Sequence, residues 1–208
     1  MERKRIGIVL FENVEILDFC GPFEVFSATR LNEERRLEES SPFEVLLVAE
    51  KNDPVVTTGG MKVIPDHTFE SCPKLTILVV PGGGGTRKEL KNPAMLNWLR
   101  IRASEVETLT SVCTGSMLLG FAGLLEGCYA TTHWRSLDWM RESFPSVKVE
   151  YDKHVVEDGR VFTSAGISAG IDMALKVVAR YCGEGVARAT AKHMEYLYPE
   201  NNARRIQL

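Results

Sequence analysis

Residues 109–127 read LTSVCTGSMLLGFAGLLEG. An apolar run ends at Val112 and a cysteine follows. Three small residues, Thr114, Gly115 and Ser116, then open a segment with helical spacing. A β-rich run that passes into a helix in this way marks a strand-to-helix junction. In open α/β sheets, ligands bind beyond the carboxyl ends of the strands. A thiol there meets the positive end of a helix macrodipole, which lowers its pKa and prepares it as a nucleophile. Cys113 is therefore the first candidate for chemistry.

Similar junctions lie on both sides of it. IGIVLF (6–11), FEVLLVAE (43–50), LTILVVPGGGG (75–85) and ETLTSV (107–112) are predicted buried strands. YATTH (129–133), VKVEYD (147–152), HVVEDG (154–159) and RVFTSAG (160–166) are predicted as further strands. Helical spacing follows residue 11, with Gly21-Pro22 near its start, where proline is tolerated in a first turn. It recurs over 86–104, 134–144, 167–183 and 184–198. Apolar runs around Gly59-Gly60 predict a hairpin, and NEERRLEESS (32–41) a solvated connection. Strands alternating with helices predict an α/β fold, a three-layer α/β/α sandwich around a mostly parallel sheet. With 208 residues and no clear linker, residues 1–208 read as one domain.

Hydrophobic content is 44%, charged content 25%, net charge −3 and pI about 5.9. Nothing in that balance favours nucleic acid or an anionic membrane as partner. No apolar run reaches the roughly 18 residues of a membrane span. Glu12, Glu15 and Asp18 interrupt the N-terminal one, so it reads as a strand and the expected location is cytoplasmic. Five widely spaced cysteines without CxxC predict reduced thiols rather than disulfides or a zinc site.

Other motifs have plainer readings. PGGGGTR (81–87) lacks both GxGxxG and GK[ST], so it reads as a tight turn or as backbone N–H groups aimed at a neighbouring oxyanion. GISAG (166–170) matches the serine elbow pattern GxSxG, but Asp172 lies on the same helix and His193 far along the chain. Its small residues more simply allow close approach. His67, His154 and His193 read as surface or structurally bonded imidazoles, and no HExxH suggests a metal. His133 ends a predicted strand and is the histidine expected nearest a site. Cys20, Cys72, Cys128 and Cys182 read as small buried hydrophobes. Asp18 follows the first strand and reaches the same sheet edge as Cys113.

These pieces together resemble the ThiJ/PfpI superfamily, with its flavodoxin-like, class I glutamine-amidotransferase-like fold. The matching stretches are IGIVLFENVEILDFCGPFEVF (6–26), VVPGG (79–83), TSVCTGSMLLGFAGLLEGCYATTHW (110–134) and DGRVFTSAGISAGIDMAL (158–175). The isocyanide hydratase branch is the most similar, through L-D-x-x-G-P at 17–22 and S-V-C-T-G-S at 111–116. The resemblance implies Cys113 as nucleophile on a sharp elbow and Asp18 as its acid/base partner. It implies that amides of Gly83 and Thr114 hold developing negative charge and that Gly166 and Ile167 line the pocket. It implies a small-molecule substrate, no cofactor, and a homodimer to which Phe23 and Phe26 contribute.

Thr114 stands where the superfamily's proteases carry histidine, which argues against proteolysis. Asp18 stands where the parkinsonism-associated branch carries glutamate. Cys20, two residues from Asp18, raises a redox alternative in which a second thiol resolves an oxidised Cys113. A glyoxalase acting on methylglyoxal is the remaining enzymatic alternative. Related domains also form the N-terminal half of AraC-type regulators, but only about 25 residues follow Cys182 here, too few for a DNA-binding region.

Overall fold

The computed structural model describes residues 3–206. The chain begins with β1 (Lys4–Leu10), α1 (Ile16–Ala28) and β2 (Phe43–Ala49). Four short strands follow: β3 (Val55–Val56), β4 (Lys62–Val63), β5 (His67–Thr68) and β6 (Ile77–Val80). Next come α2 (Thr86–Glu89), α3 (Pro93–Glu105), β7 (Thr108–Val112), α4 (Gly115–Phe121) and β8 (Tyr129–Ala130). The last third holds α5 (Leu137–Ser143), β9 (Lys148–Val149), β10 (Val155–Asp158), β11 (Val161–Ser164), α6 (Ala169–Cys182) and α7 (Glu184–His193).

The central sheet has seven strands in the order β10-β11-β7-β6-β1-β2-β5. All neighbours run parallel except β10, which is antiparallel to β11. The doubly wound core β2-β1-β6-β7-β11 is the flavodoxin order, and its switch point lies between β1 and β6. Helices α1, α6 and α7 pack together, as do α2, α3 and α4, so helices form two layers. The central strands are buried on both faces, which is why they read as unbroken apolar runs: Ile6, Ile8, Val9, Leu78 and Leu109 are all fully buried. The helical spacing expected over 86–104 is divided into α2 and α3, and α3 has a well-formed start. The Asn92 side chain accepts from the amides of Ala94 and Met95, and Pro93 occupies the first turn.

Several expectations are corrected. Pro22 lies inside α1 rather than in its first turn. YATTH is a strand only at Tyr129–Ala130, paired with β9 outside the main sheet. Its threonines leave the strand to hydrogen-bond elsewhere. The hairpin around Gly59-Gly60 forms as β3–β4, but β5 was not foreseen, being two residues long at the sheet edge. Phe26 is fully buried with its ring 5.3 Å from Phe43, so it reaches no dimer surface, whereas Phe23 is partly buried. Among the described residues, no helix is long and apolar enough to cross a membrane.

Candidate active site

The sharpest local feature is the backbone at Cys113. Its φ is +56°, a left-handed conformation that non-glycine residues rarely adopt. It joins β7 to α4 and turns the thiol out of the sheet's carboxyl edge. The turn survives because neighbouring backbone segments crowd in. A Cβ on Gly115 would strike the Val80 carbonyl oxygen, and one on Gly82 would strike Thr114. The Cys113 carbonyl accepts from the Ser116 hydroxyl and the Thr132 hydroxyl, each at 3.0 Å, and its N–H donates to Ala165 O at 3.2 Å. In the sequence Ser116 reads only as a small residue after the elbow, and Thr132 carries no signal of its own. Ser116 sits three residues on, the spacing of a helical turn, but nothing local marks Thr132.

Asp18 is fully buried on α1. Its Oδ2 accepts the Gly82 N–H at 2.9 Å, while Oδ1 has no hydrogen-bond partner among the described residues. The Cys113 side chain faces the same carboxyl. Burial, opposed by the Gly82 N–H, raises the Asp18 pKa to about 8, with a smaller lift from the charge of Glu15. Asp18 is thus a proton-bearing acid at neutral pH. A neutral carboxyl can donate to the neighbouring sulfur through its otherwise unpaired oxygen.

Burial also pushes the Cys113 thiol up, and negative charge on Asp18 pushes it further. This corrects the expected depression by a helix macrodipole: α4 has only seven residues, and desolvation outweighs its field. Opposing the rise are the amides of Thr114 and Ile167 and the Thr114 hydroxyl, all at the sulfur. Protonation of Asp18 removes the charge that raises the thiol, so the two groups share one proton economy.

The glycine loop contributes differently from expectation. The Gly83 N–H donates to Thr114 Oγ1 at 3.1 Å. The loop also zips onto residues 13–15, with Glu15 N–H donating to Gly82 O at 2.9 Å. That zipper carries Asp18 to the elbow. Gly82, read in the sequence only as one residue of the glycine loop, is the residue that holds the carboxyl.

Ile167 has φ +53°, a costly conformation for a β-branched residue, and its amide points at the sulfur. Gly166 lets the His133 ring pack against its backbone, where a Cβ would overlap that ring. His133 thereby forms a wall beside Gly166, its Nδ1 accepting from Arg135 N–H at 3.3 Å. Burial lowers its pKa, with Arg135 and Arg204 adding to the fall. Ser168 is exposed and is not bonded to a histidine base among the described residues, so GISAG serves close packing and not a serine triad. Cys20 is free and partly buried. Two residues beyond Asp18 it lies about 200° around the helix, on the side away from the carboxyl. Among the described residues no cluster of ligating side chains suits a metal.

The sequence model of the DJ-1/PfpI family matches residues 4–180. Isonitrile hydratase of Pseudomonas putida is 36% identical over 92% of this chain and 78% of its own length. The transcriptional regulator CdhR of Pseudomonas aeruginosa is 32% identical over 74% of this chain, which spans 46% of that regulator. The crystal structure of a ThiJ/PfpI family protein from Pseudomonas syringae superposes with a TM-score of 0.84 at 31% identity. That superposition covers 97% of this chain and 79% of the other.

Proposed function

Since this chain belongs to the DJ-1/PfpI family, we propose that it is a cysteine-dependent hydro-lyase converting an isocyanide to an N-substituted formamide. One arrangement carries the reading: a thiol held at positive φ faces a buried carboxyl that keeps its proton to about pH 8. A terminal isocyanide carbon must accept both a nucleophile and a proton, and this pair supplies both.

The sulfur of Cys113 attacks that carbon and forms the S–C bond. The thiol proton, passed through Asp18, ends on the same carbon and gives the thioimidate R–N=CH–S–Cys. Water then adds across C=N, its hydroxyl to carbon and its proton to nitrogen. The adduct breaks its C–S bond, the hydroxyl proton returns through Asp18 to the sulfur, and R–NH–CHO leaves. The sum is RNC plus water giving RNHCHO. The amides of Thr114 and Ile167 stabilise charge on the sulfur, and the scheme needs neither metal nor organic cofactor. A homodimer and a cytoplasmic location remain part of the proposal, on the family resemblance.

The test is formamide production from para-nitrophenyl isocyanide. Wild type turns over, Cys113→Ala is inactive, and Asp18→Ala falls on the order of 100- to 10,000-fold, the usual weight of a positioned acid/base. Wild type inert there but consuming methylglyoxal replaces this reading with a glyoxalase.

A further inference from the structure

The Thr114 hydroxyl lies at the Cys113 sulfur, and a second buried hydroxyl stands behind it. Thr86 Oγ1 is 2.9 Å from Thr114 Oγ1, a distance across which either oxygen could donate. Thr86 opens α2 at the end of the glycine loop, 28 residues before Thr114, and is 2% exposed. The loop brings the two together. Gly85 N–H donates to Asn13 O at 3.0 Å, and Thr86 N–H donates to Gly83 O at 3.1 Å. The Thr114 hydroxyl fits there because residue 82 is glycine, where a Cβ would strike Thr114 Oγ1.

Counting hydrogens fixes the direction of the bond between the hydroxyls. Each has one hydrogen to give and two lone pairs to accept with. One lone pair of Thr114 Oγ1 already accepts the Gly83 N–H at 3.1 Å. If Thr114 donated to Thr86, the buried Thr86 hydrogen would have no acceptor among the described residues. A buried donor left unpaired is costly. If Thr86 donates, it fills the second lone pair of Thr114, and the hydrogen on Thr114 is free for the sulfur. Only this second arrangement gives every hydrogen an acceptor.

We propose that Thr86 is a positioning residue for the nucleophile: its hydroxyl turns that of Thr114 towards Cys113 and holds it there as negative charge gathers on the sulfur. No proton leaves either hydroxyl. The sulfur needs such a donor, because burial and the charge of Asp18 both oppose a thiolate. The donor acts when the sulfur attacks and again when the C–S bond breaks. The consequence for isocyanide turnover rests on the hydratase reading, whereas the effect on the sulfur does not.

Alkylation of Cys113 by iodoacetamide at pH 8, followed by mass spectrometry of its peptide, tests this without substrate. Thr86→Val keeps the shape and removes the hydroxyl. Its Cys113 reacts about three- to tenfold more slowly, since less thiolate forms and its higher nucleophilicity recovers only part of the loss. Thr86→Ser restores the rate to within about twofold of wild type, because it returns the donor. A merely loosened fold would expose the buried thiol and speed the reaction. Thr114→Val slows it at least as much, and adding Thr86→Val to Thr114→Val changes nothing further, because Thr86 acts only through Thr114. Should Thr86→Val fail to fold, Thr86→Ala carries the same expectation. An unchanged or faster rate without the Thr86 hydroxyl, no recovery in Thr86→Ser, or additive losses in the double variant overturns the positioning role. With para-nitrophenyl isocyanide, Thr86→Val lowers kcat about three- to tenfold and leaves KM within about twofold. Wild type inert there with the alkylation pattern intact removes the hydratase reading and leaves the positioning role. Wild-type turnover with unchanged alkylation in Thr86→Val removes the positioning role and leaves the hydratase.

Discussion

Asp18 shows how a functional side chain can weaken the fold that holds it. Its folded pKa, about 8, stands above the ordinary 3.8. Below about pH 4 both folded and unfolded chains hold the proton and the difference vanishes. As pH rises from there towards 8, the unfolded chain releases a proton that the folded chain keeps, so stability falls across that window. At pH 7 the cost is on the order of 4 kcal/mol, an upper bound at about 1.4 kcal/mol per pH unit. Asp18→Asn, which retains an acceptor for the Gly82 N–H, removes this pH dependence. Urea unfolding at pH 5 and pH 8 then gives a smaller difference for the variant than for wild type. Ile167 makes a related trade. Its side chain is 38% exposed and gains little from packing, while its φ of +53° costs about 1–3 kcal/mol. Ile167→Gly is expected to raise stability by about 1 kcal/mol and lower turnover, because a freer backbone no longer holds the amide on the sulfur.

Among elements, the four connections that leave the carboxyl ends of β1, β6, β7 and β11 carry Asp18, Gly82, Cys113 and Ile167, and each depends on close backbone approach. Gly115→Ala places a methyl against the carbonyl groups of Val80 and Pro81, which cannot swing aside as a side-chain tip can. The expected loss is about 1–3 kcal/mol, read by thermal or urea unfolding. Thr132 acts from the connection after β8, holding the Cys113 carbonyl at 3.0 Å. Thr132→Val keeps the shape and loses the donor, with an expected cost of about 1–3 kcal/mol. Its turnover falls more than that of a surface control matched in stability. The glycine motifs illustrate the limits of local reading. PGGGG and GISAG read in sequence as a tight turn and as a close approach, but which neighbours their glycines admit, namely Thr114, Glu12, His133 and Val112, is recorded only in the fold.

At the scale of the whole molecule, the C-terminal segment straps onto the central sheet's neighbours. Asn202 pairs with both backbone groups of Val155, Arg204 ties down 131–132, and Arg205 meets the buried Asp172, which also accepts from Tyr196 OH at 2.8 Å. Arg205→Ala leaves that carboxylate short of a partner and is expected to lower stability by about 2 kcal/mol. A double-mutant cycle with Asp172→Asn recovers part of the loss. The sequence by itself determined the sheet's strands other than β5, and the elbow at Cys113, because burial on both faces and a strand-to-helix turn leave their marks within a few consecutive residues. It also brought Asp18 to the right edge, because it follows β1. Gly82 as the carboxyl's holder, Thr132 behind the elbow, the upward shift of the thiol and the pairing of Thr86 with Thr114 were decided only by tertiary structure. Asp18 and Gly82 are 64 residues apart and Arg204 and Thr131 are 73 apart, so no local pattern records these pairings. Desolvation, which sets both pKa shifts, is a property of everything packed around a group and of no residue alone.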